Sequence, residues 1–177
     1  MKTLIAAVFL SLSVFAGSAQ DRGGDIDTVN YVDLEDYMGL WHELYRLPNS
    51  FEEGCYNVTA EYKLLGERVS VENTCVKKNG TKKVAHVTAF VVNRHTNAEL
   101  KVSFVPILQR WGFFAGDYNV LALGDAYDYA LVGSKDRKFL WVLSRTKTLD
   151  EEVVKELFET AENLGFDTSK VITTPSL

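Results

Sequence analysis

The feature that most constrains the fold of this chain is a series of short segments in which apolar and polar residues alternate. In the clearest of them, every second residue from Val58 to Leu64 is apolar. A period of two places successive side chains on opposite faces of a β-strand, so that one face is buried and the other contacts water. Turn-forming residues separate these segments. The pattern predicts eight strands, at residues 40–47, 57–65, 68–78, 82–92, 98–105, 117–123, 128–134 and 138–145.

The hydrophobic period changes near the end of the chain. Apolar residues from Leu149 to Leu164 recur at intervals of three and four, which is the spacing of one face of an α-helix. We expect an amphipathic helix that begins with a capping box formed by Thr148 and Glu151 and stops at Gly165. A short ninth strand is expected to follow over residues 170–173.

These elements indicate an all-β domain with one C-terminal helix packed outside the sheet. Eight consecutive antiparallel strands with mostly short connections form either an up-and-down barrel or a sandwich. A barrel of this size has an interior that side chains fill or that holds one small ligand.

The beginning of the chain has the pattern of a targeting segment. Lys2 precedes an apolar run, and the small residues Gly17-Ser18-Ala19 follow it. The run is too short to span a bilayer comfortably, and no lipid-attachment cysteine follows it. We therefore expect a signal peptide at 1–19, a polar N-terminal arm at 20–37 and a single domain at 38–177. The protein is then expected to be secreted or periplasmic.

Composition and motifs disfavour several function classes. The formal charge of -5 disfavours nucleic acid, which selects basic surfaces. His42, His86 and His95 lack metal-ligand spacing, and the chain has neither a nucleophile elbow nor a phosphate-binding glycine loop. We expect no metal, no cofactor and no catalytic residue. Glu43 is expected to face inward, in a hydrogen-bonded structural role.

The two cysteines, Cys55 and Cys75, allow two interpretations. In an oxidising compartment, two cysteines favour one disulfide. A hairpin centred on Leu65-Gly66, however, would pair Tyr56 with Cys75 and leave Cys55 one residue out of register. A β-bulge at the start of that strand would bring the two cysteines together. Otherwise Cys75, which shares a face with Val71, is a free thiol inside the domain.

Three motifs carry a family resemblance. They are Gly39-Leu40-Trp41 at the first strand, Tyr127-Asp128-Tyr129 at a later turn, and the end of the last barrel strand with Arg145. In this order they resemble the three signatures of the lipocalin family, although Tyr127 departs from the threonine usual at its position. Residues 46–52, 58–62, 100–104, 118–123 and 140–146 look like the bacterial lipocalin and apolipoprotein D branch.

The resemblance covers residues 36–173, and it implies an eight-stranded antiparallel up-and-down β-barrel that forms a calyx. It further implies that Trp41 plugs one end of the barrel and that Arg145 lies across its indole, a contact typically worth about 0.5–2 kcal/mol. Bacterial members are often outer-membrane lipoproteins, but the missing cysteine means that this anchoring does not carry over.

The expected function is the binding and transport or storage of a small hydrophobic ligand, such as a fatty acid or a lysophospholipid. Two alternatives remain open. One is a lipid isomerase that uses a free Cys75, and the other is a haem-binding lipocalin with an inward His86. By alternation, the ligand-binding candidates are Tyr62, Val71, Leu100, Val102, Phe104, Tyr118, Val120 and Trp141.

The longest loop between strands, at 106–116, is unusually apolar, whereas loops normally run over the surface. In an up-and-down barrel it lies at the open end. Trp111, Phe113 and Phe114 are therefore candidates for a transient membrane contact or a homodimer contact. The alternative is a loop that folds back onto the barrel.

Overall fold

The computed structural model describes residues 25–103 and 116–177. Strands form where the alternation predicts them, with bounds within two residues of those expected. They are β1 (Gly39–Arg46), β2 (Tyr56–Leu65), β3 (Arg68–Val76), β4 (Lys82–Val91), β5 (Glu99–Ser103), β6 (Gly116–Leu123), β7 (Tyr129–Gly133), β8 (Leu140–Ser144) and β9 (Ile172–Thr173). A short helix α1 (Leu34–Tyr37) precedes them, and α2 (Glu151–Asn163) follows β8.

The strands close into a barrel. Each of β2 to β8 pairs antiparallel with the next strand, and β1 closes the ring by pairing with both β8 and β2. β9 lies outside the ring and pairs with β1 at Tyr45 and Arg46. The predicted eight-stranded antiparallel up-and-down barrel is therefore confirmed. One end of it carries the loops 47–55, 77–81 and 134–139, and the other carries the turns 66–67, 92–98 and 124–128.

Helix α2 covers one side of the barrel from outside. Leu157 and Ala161 pack with Leu131, Leu140 and other outward-facing residues of β6, β7 and β8. These strands are apolar on both faces, because their other face lines the barrel interior. The predicted capping box is wrong, since the residue that caps α2 is Asp150, which makes no side-chain hydrogen bond there. No helix in the described ranges is long and apolar enough to cross a membrane.

A β-bulge near the start of β2 decides the pairing of the cysteines. The hairpin turn lies at Gly66-Glu67, so that Tyr62 pairs with Val71, and the predicted register was wrong by two residues. The register shifts between Tyr56 and Thr59, where Asn57 adopts a positive φ of 45°. With this extra residue, Cys55 and Cys75 form a disulfide with Cα atoms 5.2 Å apart. The alternative of a free Cys75 thiol is therefore wrong.

The barrel end near α1 is sealed by Trp41, which is fully buried. Its indole Nε1 donates to the carbonyl oxygen of Tyr37 at 2.9 Å. The guanidinium carbon of Arg145 lies 3.8 Å from the centre of the indole, as the resemblance implied. Arg145 also donates to the carbonyl oxygens of Asp36, Leu40 and Tyr127. One side chain thus joins α1, β1 and the β6–β7 turn.

Removing the disulfide should lower the free energy of unfolding. The bond joins residues 20 positions apart, and a cross-link of that span stabilises by about 3 kcal/mol in the chain-entropy model. We expect the double variant Cys55→Ser/Cys75→Ser to lose about that much in guanidinium titrations. Wild-type protein in excess reductant should lose the same amount. Equal stability of the reduced and oxidised proteins would contradict the assignment.

Trp41→Ala should destabilise the protein by about 3–5 kcal/mol, the usual effect of removing a large buried aromatic side chain. Arg145→Ala should cost less, about 0.5–2 kcal/mol from the lost indole contact, together with the lost hydrogen bonds to carbonyl oxygens. Because Arg145 lies outside the barrel interior, ligand affinity should be unchanged in the folded variant. Arg145→Lys, which keeps the charge but loses the fork of donors, is the matched control. Loss of binding by folded Arg145→Ala would assign this residue to the ligand site instead.

Candidate functional site

The barrel interior contains a cavity of about 390 Å³, within the range of small-molecule sites. Seven of the eight residues expected from alternation line it, and the eighth, Phe104, lies outside the described residues. Those seven are Tyr62, Val71, Leu100, Val102, Tyr118, Val120 and Trp141. That these residues contact a ligand remains a prediction.

Sequence patterns alone missed further cavity residues, for two different reasons. Val69, Val87 and Ala89 also line the cavity, and the alternation of β3 and β4 would have indicated them. Tyr37 and Val32 line it from the segment before β1, which the sequence indicated only as a polar arm. Val32 reaches the barrel because its backbone N–H donates to the carbonyl oxygen of Thr96 at 2.7 Å.

The open end of the cavity is edged by three aromatic rings. Phe139 and Trp141 are nearly parallel, with ring centres 5.8 Å apart, and Phe51 adds a third ring 5.4 Å from Phe139. All three line the cavity. Phe51 is half exposed, so this apolar column leads from solvent into the barrel.

Beside these rings lies a cluster of charged side chains. Arg46 Nε is 3.2 Å from Glu43 Oε1 and 3.1 Å from Glu52 Oε2, so that two carboxyl groups share one guanidinium. Glu43 also accepts from Thr174 Oγ1 at 2.6 Å, and Glu52 accepts from Trp141 Nε1 at 3.3 Å. The cluster ties β1 to the loop before β2 and to the C-terminal segment. As expected, Glu43 faces inward and is hydrogen-bonded.

The pKa of Glu43 is raised to about 8. Burial is the largest cause, and the neighbouring charge of Glu52 is the second. The hydrogen bond from Thr174 and the charge of Arg46 oppose this shift but do not cancel it. A single guanidinium offsets only one negative charge, and desolvation disfavours a second. Glu43 therefore carries a proton at neutral pH.

The opposite end of the cavity holds three tyrosines. The hydroxyl oxygen of Tyr118 lies 2.7 Å from that of Tyr37 and 2.9 Å from that of Tyr62. Burial raises the pKa of Tyr62 to about 12 and the pKa values of the other two well above their usual value. The hydroxyls therefore stay protonated and act as hydrogen-bond donors and acceptors.

The haem alternative required an inward His86. The structure places His86 on the outer face of β4, with its side chain 72% exposed and 3.7 Å from Glu72. The reason is alternation, since the adjacent Val87 faces the cavity. Over the part of the chain that the structure describes, no cluster of three or more histidine, cysteine or acidic side chains is arranged to hold a metal ion.

Besides Phe104, two groups of sequence predictions fall outside the described residues. They are the signal peptide at 1–19 and the apolar loop that carries Trp111, Phe113 and Phe114. The membrane or dimer contact assigned to that loop stays a prediction.

The protonated state of Glu43 should make stability depend on pH. Its pKa is about 8 in the folded protein and 4.5 ordinarily, so between these values the folded protein holds a proton that the unfolded chain has released. The contribution of Glu43 to the free energy of unfolding should therefore be fully present below about pH 4.5 and be lost as the pH rises to about 8, a change of a few kcal/mol. Glu43→Gln, which is neutral at every pH, should flatten this part of a guanidinium titration series.

The exposed Glu159, whose side chain is 60% exposed on α2, offers the control variant Glu159→Gln, which should keep the wild-type slope. If Glu43→Gln kept the wild-type slope of unfolding free energy against pH, this would contradict a raised pKa of Glu43 beside Glu52 and Arg46.

Comparisons with known proteins agree with this geometry. Residues 32–176 match the family model described as a lipocalin-like domain. The chain is 37% identical over 171 residues to the outer membrane lipoprotein Blc of Escherichia coli (strain K12), covering 96% of this chain and 93% of that protein. It is 30% identical to apolipoprotein D of Mus musculus, over 80% of this chain and 76% of that protein.

A solved structure gives the same result for the fold. Insecticyanin from the tobacco hornworm Manduca sexta superposes with a TM-score of 0.68 at 28% identity, over 87% of this chain and 86% of that one. The family model spans all the described strands, together with α1 and α2, and it begins after the first residues of the N-terminal segment. The chain therefore belongs to the lipocalin family, in the branch that contains Blc and apolipoprotein D.

Proposed function

We propose that this protein binds a small hydrophobic or amphipathic molecule of the fatty-acid or lysophospholipid class in its barrel and carries or stores it. The observation that supports this most directly is the cavity of about 390 Å³, which is closed at one end by Trp41 and lined mainly by aliphatic and aromatic side chains. A hydrocarbon chain that enters such a space leaves water, which contributes about 0.8 kcal/mol per buried CH₂ group.

The arrangement of the mouth suits an amphipathic molecule. The rings of Phe51, Phe139 and Trp141 offer an apolar path, and the polar groups of Glu52 and Asp117 line the same cavity. A ligand can then keep its headgroup near solvent while its chain lies among the valines of β3 and β4.

We propose a binding role in place of catalysis. The isomerase alternative needs a thiolate as nucleophile, and the sulfur of Cys75 is bonded to Cys55. Glu43 is the buried carboxyl group of the cavity wall, and it is engaged by Thr174 and Arg46. These contacts support structural roles for both groups.

We further propose that the protein works outside the cytoplasm, either secreted or in the periplasm. The basis is the pattern of residues 1–19, together with the disulfide, which persists in oxidising compartments. Blc is named as an outer membrane lipoprotein. Lipid attachment is not part of this proposal, since this chain has no cysteine directly after the apolar run.

The purified protein should bind a fluorescent fatty-acid probe at one site per chain. Val87→Trp, which adds bulk to an inward side chain paired with Val71, should lower the affinity at least tenfold by filling the cavity. Thr88→Trp makes a similar change at the neighbouring residue, which alternation places on the outer face, and should leave the affinity unchanged.

Probe emission and a folded circular-dichroism spectrum report the result. A folded wild-type protein that binds no probe, or equal affinities for the two tryptophan variants, would refute binding in the barrel. Mass spectrometry of lipid extracted from the native protein identifies the class of ligand.

A further inference from the structure

Three hydroxyl groups lie together in an otherwise apolar part of the cavity. Tyr37 comes from α1, Tyr62 from β2 and Tyr118 from β6, and all three line the cavity. Tyr118 is the centre of the group, with its hydroxyl oxygen 2.7 Å from that of Tyr37 and 2.9 Å from that of Tyr62. Tyr37 and Tyr62 are almost wholly buried, with 3% and 6% of their surfaces exposed.

One hydroxyl hydrogen of these three tyrosines has no acceptor within the group. Three hydroxyls carry three O–H hydrogens, because each has one donor, whereas the two oxygen–oxygen contacts use two. The direction of each hydrogen bond does not change this count. Whether Tyr118 donates once or accepts twice, one O–H of the trio is left to point at something else.

In the described part of the chain, the hydroxyls of the trio hydrogen-bond to one another. The indole N–H of Trp41 is itself a donor and is already bonded to the carbonyl oxygen of Tyr37. The aliphatic side chains of Val69, Leu100 and Val120 belong to the same buried cluster as Tyr37 and Tyr62. A buried donor without a partner is destabilising, so the contents of the cavity are the natural source of the missing acceptor.

We propose that the trio of Tyr37, Tyr62 and Tyr118 is a hydrogen-bond donor subsite for an uncharged oxygen atom at the end of the lipid that enters the barrel first. This proposal rests on the proposed function and adds to it the chemistry of the buried end of the ligand. It favours lipids that carry an ester, ketone or hydroxyl oxygen at the end remote from the headgroup over lipids with a plain hydrocarbon tail.

The uncharged state of the acceptor follows from the surroundings. Burial raises the pKa of all three tyrosines, and although the positive charge of Arg145 lowers the pKa values of Tyr37 and Tyr62, it does so by less. A site that disfavours phenolate to this degree also disfavours a carboxylate.

The test compares two ligands of equal chain length, octadecanoate and the monomethyl ester of hexadecanedioic acid. Both have a carboxylate for the mouth, and only the second has an ester oxygen at the far end. The preference for the ester is measured as the ratio of its affinity to that of octadecanoate, and we expect part of this ratio in wild-type protein to come from the three hydroxyls. In the triple variant Tyr37→Phe/Tyr62→Phe/Tyr118→Phe this preference should fall about fivefold, the usual effect of one hydrogen bond.

The triple variant removes the donors and their acceptors together, which is close to neutral for folding, and a general loosening of the barrel would weaken both ligands alike. Tyr45→Phe is the matched control, because Tyr45 packs outside the barrel against Phe158. It should keep the wild-type preference.

A second measurement needs no variant. The ester carbonyl is labelled with ¹³C, and its infrared stretching band is compared in the wild-type complex and in hexane. A shift to lower frequency in the complex reports a hydrogen bond to the carbonyl. An unshifted band, or an equal preference in wild-type and triple variant, would overturn the subsite while leaving the proposed function intact. Failure of both ligands to bind wild-type protein would overturn the proposed function itself.

Discussion

The pairing of β1 with two neighbours at once is the constraint on which the rest of this structure depends. His42 lies opposite both Thr59 of β2 and Ser144 of β8, so the barrel has no free edge at its seam. Because the sheet is closed, successive side chains along each strand point alternately into the barrel interior and to its outer surface. The same strand supplies Trp41 for the sealed end and Glu43 for the wall of the cavity, so the seam also sets the depth of the interior.

The two ends of the cavity handle polar groups in different ways. Near the mouth, Glu43 and Glu52 are held by Arg46, and the excess negative charge is removed by a proton on Glu43. At the sealed end, the polar atoms are hydroxyls that remain neutral and bond to one another. Between these ends the wall is aliphatic. A long amphipathic molecule therefore meets polar partners at its two ends and apolar contact along its chain.

Much of the barrel was predictable because its strands obey one simple period. Alternation located the strands and pointed Val71, Val102 and Val120 at the cavity, since a strand with one wet face leaves little choice of orientation. It failed where a single residue changes the period. The extra residue at Asn57 shifts β2 against β3, and the hairpin turn falls one residue later than expected. Both depend on backbone angles that alternation does not report.

The sequence by itself determined which side chains face inward, the order of the strands, the presence of one outer helix and the membership of the lipocalin family, because these depend on local patterns and short motifs. Only the tertiary structure decided that Cys55 bonds Cys75 and that Tyr37 reaches the cavity from α1. It also brought Glu43 and Glu52 to a single guanidinium. The physical reason is that each of these facts joins segments distant in the chain, and their distances and their pKa shifts exist only once the barrel has closed.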